Sequence, residues 1–329
     1  MKKFINTIEN LLDDSLEGFV LAHADIVSGH RDPRYISRRD KARPGKVALI
    51  SGGGSGHEPL HTGFVGRGML DAACPGQIFT SPTPDQMLAA AEAVENGGGV
   101  LFIVKNFAGD VMNFEMASEL LTCPVATVLV HDDVSLPEHQ GMGRRGVAGT
   151  TIVEKIVGAA AEAGWEFEQC RQLGQRVVAG TVSMGVALSS CTVPAIGHPT
   201  FELGEAEMEL GVGIHGEKGR QRAALARASE IVDSIAGILW TELDLKAGES
   251  VLLHVNGLGA TPLMELYLMY RLAHQYCSER GLQVTRSLVG NFTTSLDMAG
   301  CSLTLTRLDP ELTALWDAPV HTAALRWGC

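Results

Sequence analysis

Four glycines flank one imidazole in the run Gly211-Val-Gly-Ile-His-Gly-Glu-Lys-Gly219. Glycine lacks a Cβ and so permits tight turns and close backbone approach. A histidine on such a loop is open to a small molecule, and imidazole can serve as nucleophile, base or metal ligand near neutral pH. The plain alternative for His215 is a turn-capping loop histidine. A second glycine-rich run, Gly52-Gly-Gly-Ser-Gly-His57, also ends on a histidine. It follows the apolar segment Lys46-Val-Ala-Leu-Ile50, the setting of a phosphate-cradling loop. Yet it lacks the Gly-Lys-Ser/Thr ending of a triphosphate loop, and His57 stands where a dinucleotide fingerprint needs its third glycine. Its backbone N–H groups are expected to hold a small polar substrate, with His57 at the tip as acid or base. Gly211 to Gly216 matches Gly-x-Gly-x-x-Gly by letter alone, because Glu217-Lys-Gly-Arg-Gln-Arg222 lacks the apolar spacing of a dinucleotide-site helix.

Lys105-Asn-Phe-Ala-Gly-Asp110 leaves an apolar run and opens a helical one. Asp110 fits either an N-cap or a catalytic carboxylate at a strand end, and the two roles compete for its oxygens. Lys105 either anchors a substrate oxygen or is a solvated strand-end lysine. His131-Asp132-Asp133 reads as capping acids near a strand end, and no metal is assigned there.

Positioning these residues requires an alternation of strand, glycine turn and helix. Short apolar runs at Lys46–Ile50, Leu70–Cys74, Leu101–Val104 and Val125–Val130 alternate with helical segments Pro84–Val94 and Asp110–Leu121. Proline in the first turn of Pro84–Val94 suits a helix start. Such alternation predicts an α/β fold with a mainly parallel sheet flanked by helices, whose ligands bind beyond the carboxyl ends of the strands. Helices are expected over Thr150–Ala163, Trp165–Val178, around Ala223–Leu239 and on toward Glu279. Strands are expected at Val182–Leu188, Val251–Val255, Val284–Val289 and Ser302–Leu308. The N-terminal Met1–Asp14 reads as an amphipathic helix rather than a signal peptide. Two α/β domains are expected, 1–184 and 185–329. No linker marks the boundary, so an extensive interdomain interface and a ligand site there are expected.

The 329 residues, 45% hydrophobic and 19% charged, suffice for two cores. The net charge of −12 argues against binding driven by nucleic-acid phosphates. The apolar runs are strand-sized, so no membrane span is expected. Seven cysteines without a Cys-x-x-Cys pair argue against a disulfide framework or zinc site, and imply a cytoplasmic protein with mostly buried thiols.

Taken together, Ser51-Gly-Gly-Gly-Ser-Gly-His-Glu-Pro59, Cys74-Pro-Gly-Gln-Ile-Phe-Thr-Ser-Pro-Thr-Pro84 and Lys105–Asp110 closely resemble the K-subunit family of dihydroxyacetone kinases. Gly143-Arg-Arg-Gly-Val-Ala148, Gly211–Glu217, Asn256-Gly-Leu-Gly-Ala-Thr-Pro262 and Leu315-Trp-Asp-Ala-Pro-Val-His321 extend the resemblance along the whole chain. It implies that a ring nitrogen of His215 adds to the ketone carbon of dihydroxyacetone, giving a hemiaminal. It implies acid–base roles for Asp110 and His57, and substrate contacts from Gly54, Ser55, Gly56 and Lys105. The sequence has no Walker lysine, kinase catalytic loop or acidic magnesium cluster. The chain stops at Cys329, just past the K-type tail, which resembles the split arrangement. There, no cofactor binds this chain, and a separate L subunit holds ADP and magnesium and is rephosphorylated from phosphoenolpyruvate through a phosphotransferase system. The resemblance further implies a homodimer and, in some members, contact with a transcription regulator. Family relatives that only sense dihydroxyacetone, or that phosphorylate a four-carbon ketose such as erythrulose, stand as alternatives.

Overall fold

A computed structural model describes residues 2–137, 141–217 and 219–329. The residues fall into two compact units that interleave along the chain. The first comprises Met1–Val130, Ile152–Arg176 and Ala314–Cys329; the second comprises His131–Thr151 and Val177–Thr313. This differs from a single division near residue 185, because His131–Thr151 and the C-terminal segment each pack away from their sequence neighbours.

In the first unit, α1 (Leu11–Ala22) precedes β1 (Val27–Arg31), β2 (Arg34–Arg38), β3 (Ala48–Ser55), β4 (Gly66–Arg67) and β5 (Ala72–Ile78). Then come α2 (Pro84–Val94), β6 (Val100–Lys105), α3 (Ala108–Leu120) and β7 (Val125–Val130). Helices α4 (Gly149–Ala163) and α5 (Phe167–Ala179) follow. The main sheet has the order β1-β2-β5-β3-β6-β7. β3 runs parallel to both β5 and β6, and β6 parallel to β7, while β1 and β2 add an antiparallel edge. The central strands are apolar on both faces, as parallel strands covered by helices must be. Ile50, Val100, Phe102 and Val104 pack with Met87 and Ala90 of α2 and Phe114 of α3. α2 starts where Pro84 predicts, and the Gln86 side chain accepts the Thr83 N–H at 3.0 Å.

The second unit contains β8 (Thr181–Ala187), β9 (Glu207–Leu210), β10 (Gln221–Ala224), α6 (Ala228–Glu242) and β11 (Ser250–Gly257). It continues through α7 (Leu263–Glu279), β12 (Gln283–Gly290) and β13 (Gly300–Leu308) to α8 (Pro310–Asp317). The sheet order is β10-β9-β8-β13-β11-β12. Only β11 and β12 pair in parallel; the other four pairings are antiparallel. The expected mainly parallel arrangement is therefore corrected for this unit. β8 and β13 alternate apolar with small polar residues, Val182, Met184 and Val186 with Ser183, and Leu303 and Leu305 with Ser302, Thr304 and Thr306, an alternation that suits antiparallel strands. Ile235 and Leu239 of α6 and Leu266 of α7 pack on Val251, Leu253 and Leu303. A small third sheet, β15 (Arg326–Trp327), β14 (Val320–Thr322) and β4, ties the C-terminal segment into the first unit. Among the described residues no helix is long and apolar enough to cross a membrane.

Three further expectations change. The N-terminal helix occupies Leu11–Ala22 rather than the first fourteen residues. The helix expected around Ala223–Leu239 starts later, at Ala228, because Gln221–Ala224 form β10. The glycines of the first glycine-rich run are not a loop, because β3 extends through Gly52, Gly53 and Gly54 to Ser55.

Candidate functional site

β3 pairs its glycines with β5, Gly52 opposite Cys74, Gly53 opposite Pro75 and Gly54 opposite Gly76. The reason for glycine here is crowding. A Cβ on Gly54 would lie 2.6 Å from Thr80 N and 2.7 Å from Phe79 Cα. A Cβ on Gly53 would lie 2.3 Å from Lys105 Nζ. The strand can thus approach both the Phe79–Thr80 backbone and a buried lysine.

The chain then turns through Gly56, at φ 101°, into His57. His57 is buried, not at an exposed tip, and its ring stacks on Phe79 with centroids 5.0 Å apart. The Ser55 hydroxyl donates to Gly76 O at 2.7 Å, and Gly56 N–H donates to the Glu58 carboxylate at 3.0 Å. These two donors serve the loop itself.

Lys105 ends β6 and Asp110 lies in the first turn of α3, both buried. Phe107, not Asp110, is the N-cap of α3. The capping alternative for Asp110 is thereby removed. Its Oδ1 has no hydrogen-bond partner among the described residues, and its Oδ2 lies 3.8 Å from Lys105 Nζ. Lys105 is fully enclosed, so it is not a solvated strand-end residue. Burial lowers its pKa, while the charges of Asp110 and Glu154 push it back up. Lys105 Nζ thus faces the Asp110 carboxyl group at the carboxyl end of a parallel strand, where such sheets place ligands.

In the second unit His215 is partly exposed, with 21% of its side chain accessible. Gly216, at φ 76°, turns the chain so that Glu217 folds back on the imidazole. Glu217 Oε1 lies 2.7 Å from His215 Nδ1, and Oε2 accepts the His215 backbone N–H at 2.8 Å. An ionised carboxylate only accepts, so Nδ1 carries a proton toward Glu217, and in the neutral ring the lone pair falls to Nε2. Burial would raise the Glu217 pKa, but the hydrogen bond and charge of His215, with Arg145, hold it at about 2. Arg145 supports the loop: it donates to Gly211 O at 2.8 Å, to Ser135 Oγ at 2.9 Å and to Asp133 at 2.8 Å. Asp132 is equally committed, accepting from Val147 N, Gly149 N and Ser183. The acids after His131 therefore act as structural acceptors.

Sequence reasoning missed three polar residues at these places. Glu217 was available as the carboxylate two positions from His215. His61 and Glu154 were not, because their meeting beneath Lys105 joins positions 93 residues apart.

A parallel-stranded α/β unit with the Lys105–Asp110 pair at a strand end, and a second unit carrying His215 beside Glu217, define a two-unit α/β protein. The sequence matches the Dak1 domain over residues 17–324, and the chain belongs to that family. It is 47% identical to the PEP-dependent dihydroxyacetone kinase, dihydroxyacetone-binding subunit DhaK, of Escherichia coli (strain K12), covering 100% of both chains. Among solved structures, the dihydroxyacetone kinase operon co-activator DhaQ is 34% identical with a TM-score of 0.90, over 94% of this chain and 97% of that one. The dihydroxyacetone kinase of C. freundii in complex with AMP-PNP and Mg2+ is 35% identical with a TM-score of 0.88, over 99% of this chain and 61% of that one.

Proposed function

We propose that this chain is the dihydroxyacetone-binding subunit of a phosphoenolpyruvate-dependent dihydroxyacetone kinase. The observation that carries the reading is the Glu217 carboxylate on His215 Nδ1, which leaves Nε2 as the nucleophile. Nε2 bonds to the ketone carbon, and the carbonyl π pair moves onto oxygen. That oxygen takes a proton from a general acid, a role assigned to His57. Glu217 offsets the positive charge that the imidazole gains, as a triad carboxylate does for its histidine. Glycerol lacks an electrophilic carbon, so covalent capture separates the ketose from an alcohol of nearly equal shape.

Capture also fixes a terminal hydroxyl for phosphoryl transfer, a reaction governed mainly by positioning. Asp110 takes the hydroxyl proton as that oxygen bonds to the transferred phosphorus, whose bond to the donor nucleotide breaks so that the nucleoside diphosphate leaves. Lys105 steadies the substrate oxygens, and Gly54, Ser55 and Gly56 line the site. The nucleotide and magnesium are assigned to a separate L subunit. The functional form is a cytoplasmic homodimer, and contact with a transcription regulator is part of the proposal.

A second reading, a ligand-sensing co-activator without turnover, is favoured by the high structural likeness to DhaQ. One experiment separates the readings: ketose phosphate is measured with the L partner and its phosphorylated-donor system, then with ATP alone. Product only with the partner is expected. Product with ATP alone overturns the split arrangement, and adduct without product under either condition favours the co-activator.

A further inference from the structure

Four polar side chains line up in the interior of the first unit without being accounted for by substrate contact alone. Ser51 on β3, His61 after the turn, Lys105 on β6 and Glu154 on α4 are each at most 4% exposed. His61 Nδ1 lies 2.6 Å from Glu154 Oε1 and 2.9 Å from Ser51 Oγ. Ser51 spends its only proton on Ile103 O at 2.6 Å, so it accepts from His61. The other ring nitrogen, Nε2, lies 2.7 Å from Lys105 Nζ, which also reaches Gly52 O at 3.4 Å.

The order of atoms is therefore Asp110, Lys105, His61, Glu154. Each end of the imidazole meets one ionisable group. With Lys105 as ammonium, Nζ donates to Nε2 and Nδ1–H donates to Glu154. If a proton passes from Nζ to Nε2 while the Nδ1 proton passes to Oε1, Lys105 becomes neutral and Glu154 becomes a carboxylic acid. The proton count and the net charge of the cluster are the same in both arrangements. Burial favours the neutral pair, raising Glu154 to about 8 and lowering Lys105 and His61. The Glu154 and Asp110 charges favour the ammonium.

We propose that Glu154 and His61 are positioning residues that set the charge and place of the Lys105 ammonium beside Asp110, with His61 as the proton-conducting link. The proposal rests on the reading of Asp110 as the base for the substrate hydroxyl. A protonated Lys105 puts a positive charge 3.8 Å from the Asp110 Oδ2, where the substrate hydroxyl would be held; a neutral one supplies no such charge. The charged or titratable groups bearing on this cluster are Asp110 from α3, Glu154 from α4, and His57 from the turn after β3, whose charge acts on His61.

The test follows Lys105 itself rather than turnover alone. Lysine labelled at its ε carbon is titrated by NMR in the full-length protein, with the Lys105 signal assigned through Lys105→Met. Glu154→Gln, close to isosteric, is expected to lower the Lys105 midpoint by about one unit, and Glu154→Asp to restore part of it. With the L partner present, the alkaline limb of the turnover profile moves to lower pH by the same amount in Glu154→Gln. Equal Lys105 midpoints in wild type and Glu154→Gln overturn the proposal. The wild-type protein also gives the test without a variant: Lys105 and Glu154 titrate in shared steps, whereas two independent midpoints contradict the link. The titration needs no substrate, so its outcome is separate from whether a ketose binds His215.

Discussion

Glu217 Oε1 and His215 Nδ1 stand 2.7 Å apart across a single glycine, and the same carboxylate holds the His215 backbone N–H. One side chain thus fixes both the tautomer and the orientation of the ring. Replacing it with Glu217→Gln is expected to keep the fold and to reduce the rate of adduct formation on the order of 10²-fold or more. The amide can donate to Nδ1, which favours the wrong tautomer. Adduct formation at the wild-type rate would remove Glu217 from the mechanism.

Gly53 and Gly54 are neighbours with different expected failures. Gly54→Ala drives a Cβ into the Phe79–Thr80 backbone, and the expected cost is about 1–3 kcal/mol of stability. Gly53→Ala instead displaces Lys105 Nζ, the end of a long side chain. It should lose turnover with a smaller change in melting temperature. Thermal melts beside ketose phosphate assays check the contrast, and equal behaviour of the two variants would contradict it.

Asp110→Asn is expected to form the adduct normally and to lose turnover. Phe107 occupies the cap position, so the substitution leaves the start of α3 intact. Loss of adduct and turnover together would mark Asp110 as structural.

His254 gives the acid side of the stability profile a defined feature. Burial lowers its pKa to about 4, against a small opposing effect of the hydrogen bond to Leu288 O. The folded value lies below the unfolded one of about 6.5, so the unfolded chain binds the proton first. This contribution to stability is complete above about pH 6.5 and is lost as pH falls toward about 4, at up to about 1.4 kcal/mol per pH unit. Urea unfolding of wild type and His254→Asn across that window is expected to show a shallower slope in the variant. Parallel slopes would assign the acid sensitivity to other groups.

Much of the first unit was legible in the sequence. Val125–Val130 and Pro84–Val94 are elements with the expected bounds, since apolar run length, proline and glycine punctuation are local signals. The expected site residues also fall at element ends: Lys105 closes β6 and Asp110 opens α3. What failed depends on distant partners. Gly52–Ser55 reads as a loop by composition, yet pairing with Cys74–Ile78 makes it a strand. The antiparallel partners of β13 lie far away in sequence. Likewise, no local pattern announces that Glu154, in a helix, reaches His61.

The most direct test of the account uses dihydroxyacetone labelled with carbon-13 at its ketone carbon, added to the intact protein. A bound signal in the saturated-carbon region, absent from His215→Ala, is the predicted result. A signal of equal intensity in His215→Ala, or a bound ligand that keeps its carbonyl resonance in the wild-type protein, would contradict covalent capture by His215.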